Sequence, residues 1–178
     1  MPAPGGSVRG VAYEVRVEQA GPRVLAAVRA VTAPGRLGTE IIRLLDQVWP
    51  LLREQGTRTG HNVVIYRPAG AGLLTVDAGV EVFTGFAGRD PVRRITTPAG
   101  EAAVTAHYGE YSALAGAYTA LDRWCARNGR HPARVHWEVY GDWDDDPGQR
   151  RTDVYALLSP RGPGGTAGTA GTAGTAGS

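Results

Sequence analysis

Lysine is absent from this sequence. All 19 basic side chains are arginine, set against 17 acids, for a formal net charge of +2 over 178 residues. So even a balance argues against nucleic-acid binding by bulk charge. Cysteine is nearly absent too: Cys125 stands alone, which rules out an internal disulfide and fits a reducing cytoplasm. No Cys/His set has zinc spacing, and no glycine-rich segment follows a strand with phosphate-loop spacing, so neither a metal nor a nucleotide cofactor is expected. No apolar run approaches the roughly 18 residues of a membrane span, and Met1 to Gly6 lacks the start of a secretory signal. A soluble cytoplasmic protein is expected. What is present, 42% hydrophobic and 20% charged residues, suits a single domain with a real core.

The ends carry little to bury. Residues 1–7 are rich in proline and glycine, and 161–178 is dominated by a Thr-Ala-Gly repeat, so both are expected to be flexible around a folded region of 8–160. In that region Val11, Tyr13, Val15 and Val17 alternate with more polar positions as in a half-buried strand. A second strand is expected over 24–31. From Thr39 to Gln55, Ile42, Leu45, Val48, Trp49 and Leu52 recur at helical spacing, Gly56 stops the pattern, and Pro50 should kink or divide the helix. Strands are expected over 63–66, 73–83, 93–97 and 102–107, then a helix from a Ser112 N-cap to Asn128 closed by Gly129, then strands over 135–140 and 152–158. On that helix Leu114, Tyr118, Leu121 and Cys125 form one stripe, where Cys125 reads as an inert core thiol.

The spacing points to a duplication. Trp49 and Trp124 lie late in the two helices (124 − 49 = 75), Gly56 and Gly129 end them (129 − 56 = 73), and Tyr66 and Tyr140 end the next strands (140 − 66 = 74). The fold class is therefore α+β: two strand-helix-strand-strand modules, about 8–88 and 89–160, forming an antiparallel sheet with two main helices and a ligand groove at their seam.

On the strand 135–140, alternation puts His136, Glu138 and Tyr140 on one face and Val135, Trp137 and Val139 on the other. A carboxylate among apolar and aromatic side chains must face water, pair internally with an arginine, or await a ligand. The counterpart of Glu138 in the first half is Val64 (138 − 74 = 64), so one half alone supplies an acid. A single carboxylate with Tyr140, Tyr66, Trp137, Tyr108, Tyr111 and Trp143 as candidate walls suits a flat, cationic or amphipathic organic ligand, through stacking, cation-π attraction and charge neutralisation. The alternative is a salt bridge from Glu138 to an arginine. Asp142, Asp144, Asp146 and Asp153 match positions 1, 3, 5 and 12 of a calcium loop, but Pro147 stands where that loop needs glycine, so a solvated acidic loop is expected.

Pro98-Ala99-Gly100-Glu101, His107-Tyr108-Gly109-Glu110-Tyr111, Ala117-Tyr118, Leu121 to Trp124, Asn128-Gly129, Trp137-Glu138-Val139-Tyr140 and Thr152-Asp153-Val154-Tyr155 together resemble the GyrI-like family. That family is also called the effector-binding domain of bacterial transcription activators. The resemblance implies a duplicated strand-helix-strand-strand fold enclosing an aromatic site for bulky, often cationic molecules. Glu138 would be its acid, Tyr140 a wall, and His107, Gly109 and Tyr111 the turn into the second helix. Glu110 stands where a proline is common, which bears on the rim of the site. Only about a dozen residues precede the first expected strand, too few for a helix-turn-helix, so a stand-alone version without direct DNA contact is expected. Three functions follow from the resemblance: sequestering or sensing small hydrophobic or cationic compounds; hydrolysis of a strained cyclopropane by Glu138 with Tyr140; and protein interaction of the gyrase-inhibitor kind. Membrane contact is not expected, and the sequence leaves the oligomeric state open.

Overall fold

Alternating β-branched and small residues build eight strands around two amphipathic helices in the computed structural model, which describes residues 13–161. Both expected flexible ends, apart from Arg161, lie outside the described residues, as do Val11 and Ala12 of the first expected strand. In chain order the elements are β1 (Val15–Ala20), β2 (Val24–Thr32), α1 (Leu37–Glu54), β3 (Thr59–Gly70), β4 (Leu73–Val82), β5 (Arg93–Thr96), β6 (Gly100–Tyr108), α2 (Ala115–Arg127), β7 (Pro132–Tyr140) and β8 (Arg151–Leu158). All eight strands join one antiparallel sheet in the order β1-β6-β8-β7-β3-β4-β2-β5.

That order is a duplication. Strands β3, β4 and β2 of the first half mirror β7, β8 and β6 of the second, and the halves meet where β3 pairs with β7. In that pairing Tyr66 lies opposite His136, Val64 opposite Glu138, and Asn62 opposite Tyr140. At the repeat offset of 74, only Val64 and Glu138 are both partners and counterparts (138 − 64 = 74). The pseudo-two-fold axis therefore passes between them. The leading strands are exchanged: β1, which precedes β2, pairs with β6, and β5, which precedes β6, pairs with β2.

Two buried clusters lie under the helices. Helix α1 seats Leu44, Val48, Leu51 and Leu52 on Ala26, Val28, Val76, Ala78 and Val80, while α2 seats Ala117, Leu121 and Cys125 on Ala103, Val154 and Ala156. Since α1 rests on β2 and β4, and α2 on β1, β6 and β8, the central pair β3–β7 carries no helix. The opposite face is buried without either helix. Leu25 of β2 and Val104 of β6, far apart in the sheet order, share one cluster with Val63, Ile65, Trp137 and Tyr155, so the sheet curls upon itself.

Several expectations shift. Helix α1 runs unbroken through Pro50, which faces solvent, where water can bond the Asp46 carbonyl that the proline ring leaves without its helical donor. Ile42 is 63% exposed, and the buried stripe is carried instead by Leu44 and Val48. Ser112 caps nothing. It lies in a 3-10 turn, Tyr111–Ala113, and α2 begins two residues after that turn without a side-chain cap. The helix stops do fall at Gly56 and Gly129, both with φ near +60°, as 60° and 59°. In each, the next amide reaches back to a carbonyl five residues earlier, Thr57 to Leu52 (3.0 Å) and Arg130 to Cys125 (2.9 Å), an ending that glycine permits cheaply.

Candidate functional site

Glu138 sits on the central pair between the two helices, beside the pseudo-two-fold axis, and is 4% exposed because side chains from both helices close over that pair. Strand alternation puts it there: Trp137 and Val139 point into the curled face, so Glu138 must point toward the gap between the helices. Three phenols close on its carboxylate. Tyr66 and Tyr140, counterparts across the axis, donate to Oε2 at 2.7 and 2.5 Å, and Tyr118 donates from α2 to Oε1 at 2.6 Å. Burial, reinforced by the neighbouring carboxylate, pushes all three phenols far above the usual tyrosine range. They therefore stay protonated donors. Charge-assisted bonds of this kind replace the water that the carboxylate lost on burial.

A second buried acid gives the contrast. Asp77, 2% exposed on β4, is held by Arg29 (2.7 and 3.0 Å) and by Arg67 (2.7 Å). Glu138 has no such cation. Among the described residues no arginine or histidine lies within 4.0 Å of its carboxylate oxygens. The internal salt bridge that the sequence left open is therefore not what holds this acid. Its carboxylate oxygens are hydrogen-bonded by phenols and have no counter-ion among the described residues.

Aromatic surface surrounds it. Tyr111, 42% exposed, meets the Tyr140 ring edge-on at 5.3 Å, and His136 meets Tyr118 likewise at 5.7 Å. Burial holds the His136 imidazole below its ordinary value, which favours its neutral form. On the α1 side, Trp49, Leu45 and Ile41 are half-buried and pack with Tyr66 and Tyr140 on the same cluster. Thr152, paired across from Tyr140, buries a hydroxyl that has no protein partner. A cleft of about 390 Å³ opens at one end of this surface between Tyr66, His136, Pro68, Leu74 and Pro132, of a size that fits small-ligand sites. A larger depression, about 570 Å³, lies elsewhere, between α2 and Tyr13.

Of the residues singled out in the sequence, the structure brings together Glu138, Tyr140, Tyr66 and Tyr111. Four others stand apart. Trp137 is 2% exposed on the opposite face, stacked on Tyr155 at 4.8 Å. His107 is 3% exposed with both nitrogens engaged, Nε2 donating to the Glu110 carbonyl (3.0 Å) and Nδ1 accepting from the Tyr13 hydroxyl (2.8 Å). It is a latch that holds the turn presenting Tyr111. Tyr108, next along the strand, therefore faces the other way and is exposed. Trp143 is also exposed, with the Arg150 guanidinium over its ring at 3.9 Å, and it lines a separate depression with His61, Val139 and Arg151. Tyr118, on the apolar stripe of α2, also belongs to the site. The available signal was its hydroxyl, because a tyrosine on a buried helical stripe needs a polar partner.

The fold is α+β, one eight-stranded antiparallel sheet with two helices, and it places an acid ringed by phenols between those helices. The family model of the GyrI-like small molecule binding domain matches residues 13–158, and the chain belongs to that family. No curated protein matches it. Among solved structures it is similar to the EcmrR C-terminal domain, with 16% identity over 83% of this chain and 98% of that one and a TM-score of 0.72. It is also similar to SAV2435 bound to tetraphenylphosphonium (14% identity, 82% and 94% covered, TM-score 0.58) and to a hydrolase from Listeria innocua (10% identity, 82% and 92% covered, TM-score 0.53).

Proposed function

We propose that this protein binds bulky aromatic organic cations between its two helices, with Glu138 as the charge partner and Tyr66, Tyr111, Tyr118 and Tyr140 as aromatic walls. One observation carries the reading: of the two buried acids among the described residues, Asp77 is neutralised by two arginines and Glu138 by none. A buried charge without a counter-ion is costly, and a ligand cation would recover that cost where a neutral ligand would not. The similar SAV2435 structure holds tetraphenylphosphonium, an aromatic cation. The test is calorimetric titration with tetraphenylphosphonium and with a neutral compound of the same shape. Glu138→Gln should weaken the cation by about 1 to 3 kcal/mol and the neutral compound much less. Equal weakening of both would sink the charge argument.

Hydrolysis is the second reading, favoured by the likeness to the Listeria innocua hydrolase and by the lone pairs of Glu138. Two hydroxyls occupy Oε2 and one occupies Oε1, which leaves one site on Oε1 for a water that the carboxylate could deprotonate as the water oxygen bonds to a cyclopropane carbon; the C–C bond then breaks, its electron pair passes to a carbonyl conjugated with the ring, and that oxygen takes up the proton. Mass spectrometry after incubation separates the readings. Compounds recovered intact support a sequestering or sensing module; a cyclopropane compound heavier by one water, formed by wild type and not by Glu138→Gln, supports the enzyme.

A further inference from the structure

The cleft beside Tyr66 and His136 contains two guanidinium groups, and they differ in one respect. Arg67 is committed to Asp77 at 2.7 Å. Arg134, also in the cleft lining, is exposed and makes no ion pair or side-chain hydrogen bond with any described residue. Its backbone is unusual as well. Arg134 has φ of +59°, one of two non-glycine residues in the left-handed region among the described residues, which an L side chain adopts at a cost.

The cause is a bulge. Between Pro132 and His136 the register slips, so that four steps along β7 (136 − 132) face two along β8 (158 − 156). Bulges of this kind re-aim side chains at the ends of strands and beside sites. The first half has its own irregularity in the corresponding place, between Thr59 and Asn62 of β3. The counterpart of Arg134 there is Gly60 (134 − 74 = 60), where even a Cβ would come within 2.7 Å of Glu81 and 2.8 Å of Phe83. Among the differences between the duplicated halves along the central strands, two change charge beside the cleft and the phenol cluster: Glu138 stands against Val64, and Arg134 against Gly60. Both charges fall in the second half, four residues apart on β7, so their Cα atoms are at most roughly 13 Å apart on an extended strand.

We propose that the site recognises zwitterionic aromatic ligands, with the cationic centre over Glu138 and a carboxylate against Arg134 at the mouth of the cleft. This rests on the reading of Glu138 as a cation partner. An unpaired arginine at the entrance of a site for simple cations would only repel them; opposite an acidic substituent, its fork supplies a directional contact. The two charges would also set the ligand's orientation, with the aromatic body between them on Tyr66 and His136.

The experiment compares butyltriphenylphosphonium with carboxybutyl triphenylphosphonium by calorimetry, on wild type, Arg134→Gln, Arg134→Gly and Glu138→Gln. Wild type should bind the carboxylate compound about two- to fivefold more tightly, the range of an exposed ion pair. In Arg134→Gln that ratio should fall to about one, with butyltriphenylphosphonium bound at least as tightly as before because a like charge has gone. Arg134→Gly, which also relieves the backbone, should show the same loss of preference, and agreement of the two variants excludes a folding defect as the cause. A wild type that does not prefer the carboxylate compound, or a preference that survives both Arg134 variants, overturns the proposal while Glu138→Gln still weakens both ligands. If Glu138→Gln leaves butyltriphenylphosphonium binding unchanged, the cation reading itself falls, and this proposal falls with it.

Discussion

Tyr66, Tyr118 and Tyr140 form one buried unit around the Glu138 carboxylate, and the behaviour of the three phenols at alkaline pH is a direct consequence of burial. The three phenols have ionisation values raised by desolvation and by the carboxylate they bond. Above about pH 10 the unfolded chain releases phenolic protons that the folded chain keeps. The stability they contribute is therefore complete below that value and declines as pH rises beyond it. Ultraviolet titration of the folded protein should leave at least three of its seven tyrosines unionised until the chain unfolds. A smooth titration of all seven ahead of unfolding would contradict the cluster. Much of this unit was readable in the sequence, because period-two alternation put Glu138 and Tyr140 on one face and the repeat offset tied Tyr66 to Tyr140. Tyr118 was not, since a helical stripe shows that a side chain is buried but not what its hydroxyl meets.

Between elements, close approach decides more than propensity. Gly79 of β4 pairs with Ala27 of β2, and a Cβ built there would come within 2.6 Å of the Ala27 Cβ and 2.9 Å of its Cα. These are backbone and near-backbone atoms that cannot swing aside. Gly79→Ala should therefore destabilise the protein by about 1 to 3 kcal/mol, read as a lowered thermal midpoint, and an unchanged midpoint would show that the two strands can part without penalty. Local signals in the sequence located α1, α2 and their glycine stops. They misjudged the start of α2, where the expected Ser112 cap gives way to a 3-10 turn held by the His107 bond to Glu110. The other imidazole nitrogen is held by Tyr13, 94 residues away from His107, a partner that no local signal names.

For the whole molecule, the exchanged strands make the halves interdependent. A fragment spanning 13–88 lacks the strand that β1 pairs with, and a fragment spanning 89–161 lacks the partner of β5. Both expose the shared cluster of Leu25, Val63, Val104, Trp137 and Tyr155. Each should be largely unfolded alone by circular dichroism, and the mixture should recover structure. Two independently folded halves would overturn this reading of the sheet. Among the described residues no helix is long and apolar enough to cross a membrane. By itself the sequence determined the duplication, the order of its strands and helices, and the side of β7 on which an acid must lie, because periodicity and spacing are local properties of the chain. Alternation already set Trp137 on the face away from Glu138; which face each half shares with the other, why Tyr118 enters the site, and that among the described residues Glu138 has phenols but no arginine around it were decided only by tertiary structure. Those outcomes depend on strand exchange, sheet curl and the position of the pseudo-two-fold axis, which bring together groups that no window of sequence contains.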